Sequence, residues 1–205
     1  SGRSYTIPIV IFPRGRTDGT PLTSLVDVES GANLATFSAG SVNSQLLIVT
    51  KNGLGFVTDF QGLLSRNKSG KQFIKLDRGD CPLSIVTTDH KNNGIAILSS
   101  LQRLIIFGQS EIKKLISGGR GVSLISLGLK DEVVDVKIVG PKGLILTGVS
   151  KKMTYKEKKF SKDDLMFFIS KRGRKGKVLQ IKFDANKKSY WLDKEDINTS
   201  MRDQY

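Results

Sequence analysis

Four glycine-terminated loops recur along this chain at nearly constant spacing: Gly15-Arg16-Thr17-Asp18-Gly19, Arg66-Asn67-Lys68-Ser69-Gly70, Ser117-Gly118-Gly119-Arg120-Gly121 and Arg172-Gly173-Arg174-Lys175-Gly176. Their final glycines stand 51, 51 and 55 residues apart. A fixed period of this size marks an architecture made by copying one supersecondary unit around a ring or along a solenoid. Copying turns a single cationic loop into a spaced series, which is what a long polyanion would need.

Between the loops lie short runs rich in Val, Ile and Leu, at 5–12, 45–50, 83–87, 94–98, 103–107, 132–139 and 144–147. Clusters of Gly, Asn, Asp and Ser separate them, the pattern of strands and turns. Turns such as Lys91-Asn92-Asn93-Gly94 and Pro141-Lys142-Gly143 supply residues that tolerate positive φ. Helical signals are short, at 60–65, 110–116 and 161–167. The pattern predicts an all-β fold with one brief helical turn per unit. A single domain over 1–191 divides into blades at about 1–44, 45–93, 94–143 and 144–191, and 192–205 reads as a polar tail. Each unit is expected to run strand, turn, strand, helical turn, cationic loop and two further strands. Four strands per unit predict a propeller-like assembly, with a β-sandwich of coincidental loop spacing as the alternative. The WD40 version does not fit, because no Gly-His or Trp-Asp pair recurs and the single tryptophan, Trp191, precedes Leu192.

Charge narrows the partners. The 205 residues carry a net charge of +14, which points to nucleic acid or an anionic surface. Residues 1–150 hold 17 Lys and Arg against 11 Asp and Glu, whereas 151–188 hold 14 against 4. The last repeat is therefore the most cationic sector. A membrane reading is weak, since no apolar run approaches the roughly 18 residues of a span and no long basic amphipathic helix appears. Nothing near Ser1 reads as a signal peptide, and a start without methionine reads as a piece of something longer. One cysteine, Cys81, cannot form an internal disulfide and fits a reducing cytoplasm.

The loops carry the chemistry. Glycine lets backbone approach a phosphate, and Arg and Lys supply charge-assisted contacts to its oxygens. No GxxxxGK(S/T) motif occurs, so no nucleotide site is expected. The single histidine, His90, sits in a polar turn, and no Cys or His stands at ligand spacing to Cys81, so no metal site is expected. No GxSxG elbow is present, and Asp131-Glu132 and Asp163-Asp164 read as a turn and a helix cap. No active site emerges, and no cofactor site. Phe56, Phe60, Phe73, Phe107, Phe167 and Phe168 read as core, and no cationic loop contains an aromatic residue. That favours contact with the backbone of duplex DNA over stacking on single strands. A protein-binding propeller is the rival, with Leu104-Ile105-Ile106-Phe107 as an apolar patch if exposed.

The stretches 45–56 (QLLIVTKNGLGF), 64–71 (LSRNKSGK) and 76–80 (LDRGD) closely resemble the C-terminal domain of the bacterial topoisomerase IV A subunit. The stretches 2–5 (GRSY) and 14–22 (RGRTDGTPL) resemble an earlier blade of that domain, and 172–176 (RGRKG) its last blade. The likeness runs over about 1–183. It implies a β-pinwheel of about four four-stranded blades with short helical turns, where rings of the family have five or six, so that an upstream blade is expected outside this chain. It also implies a basic rim that bends and guides duplex DNA for a type IIA topoisomerase. Such an enzyme relaxes and decatenates DNA, works with a B subunit, pairs with a second A subunit, and uses ATP and Mg2+ elsewhere in the assembly. The family's break-making tyrosine follows an arginine, whereas Tyr5, Tyr155, Tyr190 and Tyr205 follow Ser, Thr, Ser and Gln, so no catalytic centre is expected here. The alternative within this resemblance is the DNA-wrapping domain of gyrase A, which has a Gln-Arg-Arg-Gly-Gly-Arg-Gly box, of which 115–121 (LISGGRG) keeps only the tail. A bacterial, cytoplasmic, chromosome-associated setting follows. The residues expected to meet DNA are Arg14, Arg16, Arg66, Lys68, Lys71, Arg103, Arg120, Lys151, Lys152, Arg172, Arg174, Lys175 and Lys177.

Overall fold

The computed structural model describes residues 1–12, 15, 18–88, 94–140, 142–149, 155–180 and 190–194. The first repeat contributes β1 (Arg3–Ser4), a 3-10 turn at Ile9–Ile11 and α1 (Leu22–Leu25). The second runs β2 (Gln45–Thr50), β3 (Leu54–Asp59), α2 (Phe60–Leu63), β4 (Lys71–Gln72) and β5 (Pro82–Thr88). The third repeats that order with β6 (Gly94–Ser99), β7 (Arg103–Gly108), a 3-10 turn at Gln109–Glu111, β8 (Val122–Ser123) and β9 (Val133–Ile138). The fourth has β10 (Gly143–Val149), β11 (Tyr155–Ser161), α3 (Lys162–Met166), β12 (Lys177–Val178) and β13 (Tyr190–Lys194).

Sheets and repeats do not coincide. One sheet has the order β5-β2-β3-β8 and the next β12-β7-β6-β9, so each takes three strands from one repeat and a fourth from the following one. β8 pairs with the start of β3 (Gly55 opposite Val122), β12 with the start of β7 (Leu104 opposite Lys177), and β4 meets β1 likewise (Ser4 opposite Lys71). The blades expected at 45–93 and 94–143 are thus not closed units, because each repeat lends a two-residue strand to the sheet before it. The recurring glycine makes the crossing possible. A Cβ on Gly121 would stand 2.5 Å from the Gly55 carbonyl oxygen, and one on Gly176 2.9 Å from that of Leu104. Gly121 also has φ +79, where side chains other than glycine are strained. These glycines serve the strand exchange, a role different from the phosphate approach read from sequence.

Uninterrupted apolar strands follow from the stacking of sheets face to face. Successive side chains of a strand point to opposite faces, so a strand alternates only if one face is wet. In β6, Ile95 and Ile97 enter the core shared with the preceding sheet, and Ala96 and Leu98 the core shared with the following one. β7 divides the same way, with Ile105 and Phe107 on one side and Leu104 and Ile106 on the other. The run 104–107 is therefore buried on both faces and offers no exposed patch for a protein partner. Two of the hairpin turns, β2–β3 and β6–β7, are each pinned by an aspartate. Asp80 Oδ1 accepts from the Asn52 amide at 3.0 Å, and 51 residues later Asp131 Oδ1 accepts from the Leu101 amide at 3.0 Å.

Two expectations need correcting. Residues 5–12 form no strand: Pro8 cannot donate to a ladder and instead starts the 3-10 turn, leaving Ile9 78% exposed. Residues 192–194, read as tail, belong to β13, which runs antiparallel to β10. Leu192 is buried in the last core, and its amide donates to Asp135 Oδ2 at 2.8 Å. β10 gains in this way the second long neighbour that β2 and β6 also have. The predicted turn around His90 and the tail beyond 194 lie outside the described residues.

Candidate nucleic-acid interface

β5 packs on β9 and β9 on β13, so this strand forms the inner edge of each sheet and the exchanged strand the outer edge. The loops at 66–70, 117–121 and 172–176 feed directly into the exchanged strands and therefore sit at the outer edge. One backbone bond, repeated three times, fixes each loop to the preceding repeat. The Asp27 amide donates to the Lys68 carbonyl at 2.9 Å, that of Lys75 to Gly119 at 3.0 Å, and that of Ser126 to Arg174 at 3.1 Å. With the carbonyl turned inward, the side chains of Lys68 and Arg174 are left exposed. The loops are thus rigid mounts for cations rather than free turns.

The predicted residues separate by what their charge already touches. Arg66, Lys68, Arg174 and Lys175 are exposed. Lys177 is exposed with its Nζ 4.0 Å from the centre of the Phe167 ring, and half-buried Lys71 lies 5.3 Å from that of Phe73. Phe167, read as core, is in fact 58% exposed and forms a platform beside Lys177. Arg103 is turned inward, donating to the Gly176 carbonyl at 2.8 Å. Arg172 donates through Nε to the Glu111 carbonyl at 2.9 Å and through its terminal nitrogen to the Ser123 carbonyl, while its amide donates to Glu111 Oε2 at 2.9 Å. Both arginines clamp the strand exchange. Arg120 forms a two-pronged pair with Asp77, Nε to Oδ1 at 2.9 Å and a terminal nitrogen to Oδ2 at 2.7 Å. The Arg120 hydrogen bond holds the Asp77 carboxyl below its ordinary range, aided by the charges of Arg120 and Lys75, and Asp77 in turn raises the guanidinium. Arg14, Arg16, Lys151 and Lys152 lie outside the described residues.

Sequence reasoning missed several participants. Arg3 donates to the carbonyls of Ser69 and Gly70 at 3.0 and 3.1 Å, the counterpart of Arg103 on Gly176. Lys156, Lys158, Lys159 and Lys162 are exposed on and just after β11, the outermost strand of the last sheet. The excess charge of 151–188 was the available signal for these lysines. Nothing in the sequence marked Asp77 or Glu111 as partners of loop arginines. Among the described residues no group of acidic, His or Cys side chains could hold a metal ion, and no helix is long and apolar enough to cross a membrane.

No family model matches the chain. The A subunit of DNA topoisomerase 4 from Haemophilus influenzae is 29% identical over 182 residues, covering 87% of this chain and 24% of that protein. The Escherichia coli K12 protein of the same description is 25% identical over 186 residues, again covering 24% of the relative. The structure of the E. coli ParC C-terminal domain superposes with a TM-score of 0.78 at 25% identity, covering 94% of this chain and 78% of that one. The chain is a relative of the C-terminal domain of topoisomerase IV A subunits. It shares that domain's β-pinwheel, and the gyrase A C-terminal domain has the same fold at a TM-score of 0.58, 21% identity and 78% coverage of this chain. The chain spans about a quarter of the length of the topoisomerase IV relatives it matches.

Proposed function

We propose that this topoisomerase IV-like domain binds duplex DNA along its outer edge and guides it for strand passage by the whole enzyme. The observation that carries the reading is the repeated loop anchor, which mounts exposed cations at Lys68 and Arg174 in equivalent places. Contact is mainly to phosphates, because the exposed groups at the two equivalent anchor positions, Lys68 and Arg174, are cations on anchored backbone. The duplex bends as it passes from one anchored loop to the next. In the full assembly, which adds the B subunit with a second A subunit, this bend selects the DNA presented for ATP- and Mg2+-dependent relaxation and decatenation. The setting is the bacterial cytoplasm, at the chromosome. Both curated relatives named above are topoisomerase IV proteins, which favours this reading over gyrase-type wrapping.

The test is fluorescence anisotropy of a duplex of about 40 base pairs against this chain over a salt series. Log affinity is expected to fall linearly with log salt, at a slope of about 0.9 per neutralised phosphate and several phosphates in all. Absence of binding at low salt would refute the reading and leave the loops as solvated turns.

A further inference from the structure

The anchored loops are not equally charged, and the middle one carries a built-in counter-ion. In equivalent places, 66–71 presents Arg66, Lys68 and Lys71, and 172–177 presents Arg172, Arg174, Lys175 and Lys177. The middle loop replaces these with Ser117, Gly119 and Val122 and keeps one cation, Arg120, which Asp77 holds by both carboxylate oxygens. Asp77 lies two residues beyond Lys75, whose amide anchors this loop. Two residues beyond Ser126, which anchors the next loop, stands Gly128, so Lys175 meets no carboxylate from that position. Glu29, two beyond the Asp27 anchor of the preceding loop, pairs with Arg3 at 3.5 Å rather than with a loop cation. The pair is open to solvent, with side chains 55% and 42% exposed, so an incoming phosphate can compete for the guanidinium.

We infer that Asp77 is an affinity-setting residue that withholds Arg120 from DNA, so that the duplex is gripped at the two flanking loops and held loosely between them. This rests on the DNA reading above. Phosphate contact at Arg120 requires breaking the charge-assisted hydrogen bonds to Asp77, for which Arg174 and Lys175 have no counterpart among the described residues. The middle of the contacted duplex therefore remains free to adjust its path.

The experiment compares the chain with its Asp77→Asn, Asp77→Gly, Arg120→Ala and Asp77→Asn/Arg120→Ala variants by duplex anisotropy over the salt series, with thermal melting as a check on folding. Both Asp77 variants should bind more tightly at low salt and recruit one further phosphate. Their affinity should then fall about threefold more than that of the parent chain between about 50 and 200 mM salt. Arg120→Ala alone should change little, and the double variant should return to the parent slope. Asp77 variants that bind as the parent does, while the parent shows its own salt-dependent binding, would sink this inference and leave the DNA reading standing. A gain that persists in the double variant would also overturn it, since removal of any negative charge would then suffice. Failure of every variant and the parent to bind would remove both.

Discussion

Gly121 and Arg103 show how much a single residue can conceal. The glycine stands out by its spacing, yet its reason is the Gly55 carbonyl oxygen, 2.5 Å from where a Cβ would lie. Gly121→Ala must relieve that clash and occupy φ +79, so it should destabilise the chain by at least about 1 kcal/mol. Urea unfolding measures this, and an unchanged midpoint would show that the loop end tolerates a side chain. Arg103 is visible as a cation at the head of an apolar run, but no feature of the sequence tells that its acceptor is the carbonyl of Gly176. Charge is a property of the residue, whereas its availability depends on an acceptor 73 positions away.

Strands were the most legible elements where they are buried on both faces. β2, β6 and β7 read as continuous apolar runs because neighbouring sheets cover both sides of each. Ile97→Ala, inside β6, should cost about 2–5 kcal/mol through lost burial and the cavity left behind. Ile9→Ala, in an equally apolar run that the structure leaves exposed, should stay within about 0.5 kcal/mol. Paired denaturation curves check both, and equal losses would contradict the 3-10 turn at Ile9–Ile11. The same contrast explains the misread run at 5–12: hydrophobicity was right for a strand, but Pro8 and a missing ladder partner were decisive. The two-residue strands β4, β8 and β12 were expected in each unit's order but could not be located, because so short a run has no period to detect and only their partners make them strands.

For the whole molecule, the outer edge is a row of rigid loops with uneven charge rather than a uniform basic band. Arg174→Ala with Lys175→Ala removes two exposed cations that have no clamp role and should leave the fold intact. Binding to unrelated duplexes should weaken alike, with the salt slope reduced by about 1.8, two phosphates' worth. Anisotropy on several sequences measures this; a loss confined to one sequence would point to base readout. Truncating Arg172 together with Arg174 would confound charge with stability, since Arg172 clamps Glu111 and Ser123.

By itself the sequence determined the repeat, its all-β character, the burial of its long strands and the surplus of cations in the last unit. Each of these is written in local order, as period, hydrophobicity or charge. The tertiary structure alone decided that every repeat completes the sheet of its predecessor, that Arg3, Arg103 and Arg172 brace those crossings, and that Asp77 occupies Arg120. These are pairings between residues roughly 40 to 75 positions apart. Backbone carbonyls are among the acceptors, and every residue has one, so composition and spacing cannot reveal which carbonyl a guanidinium will find.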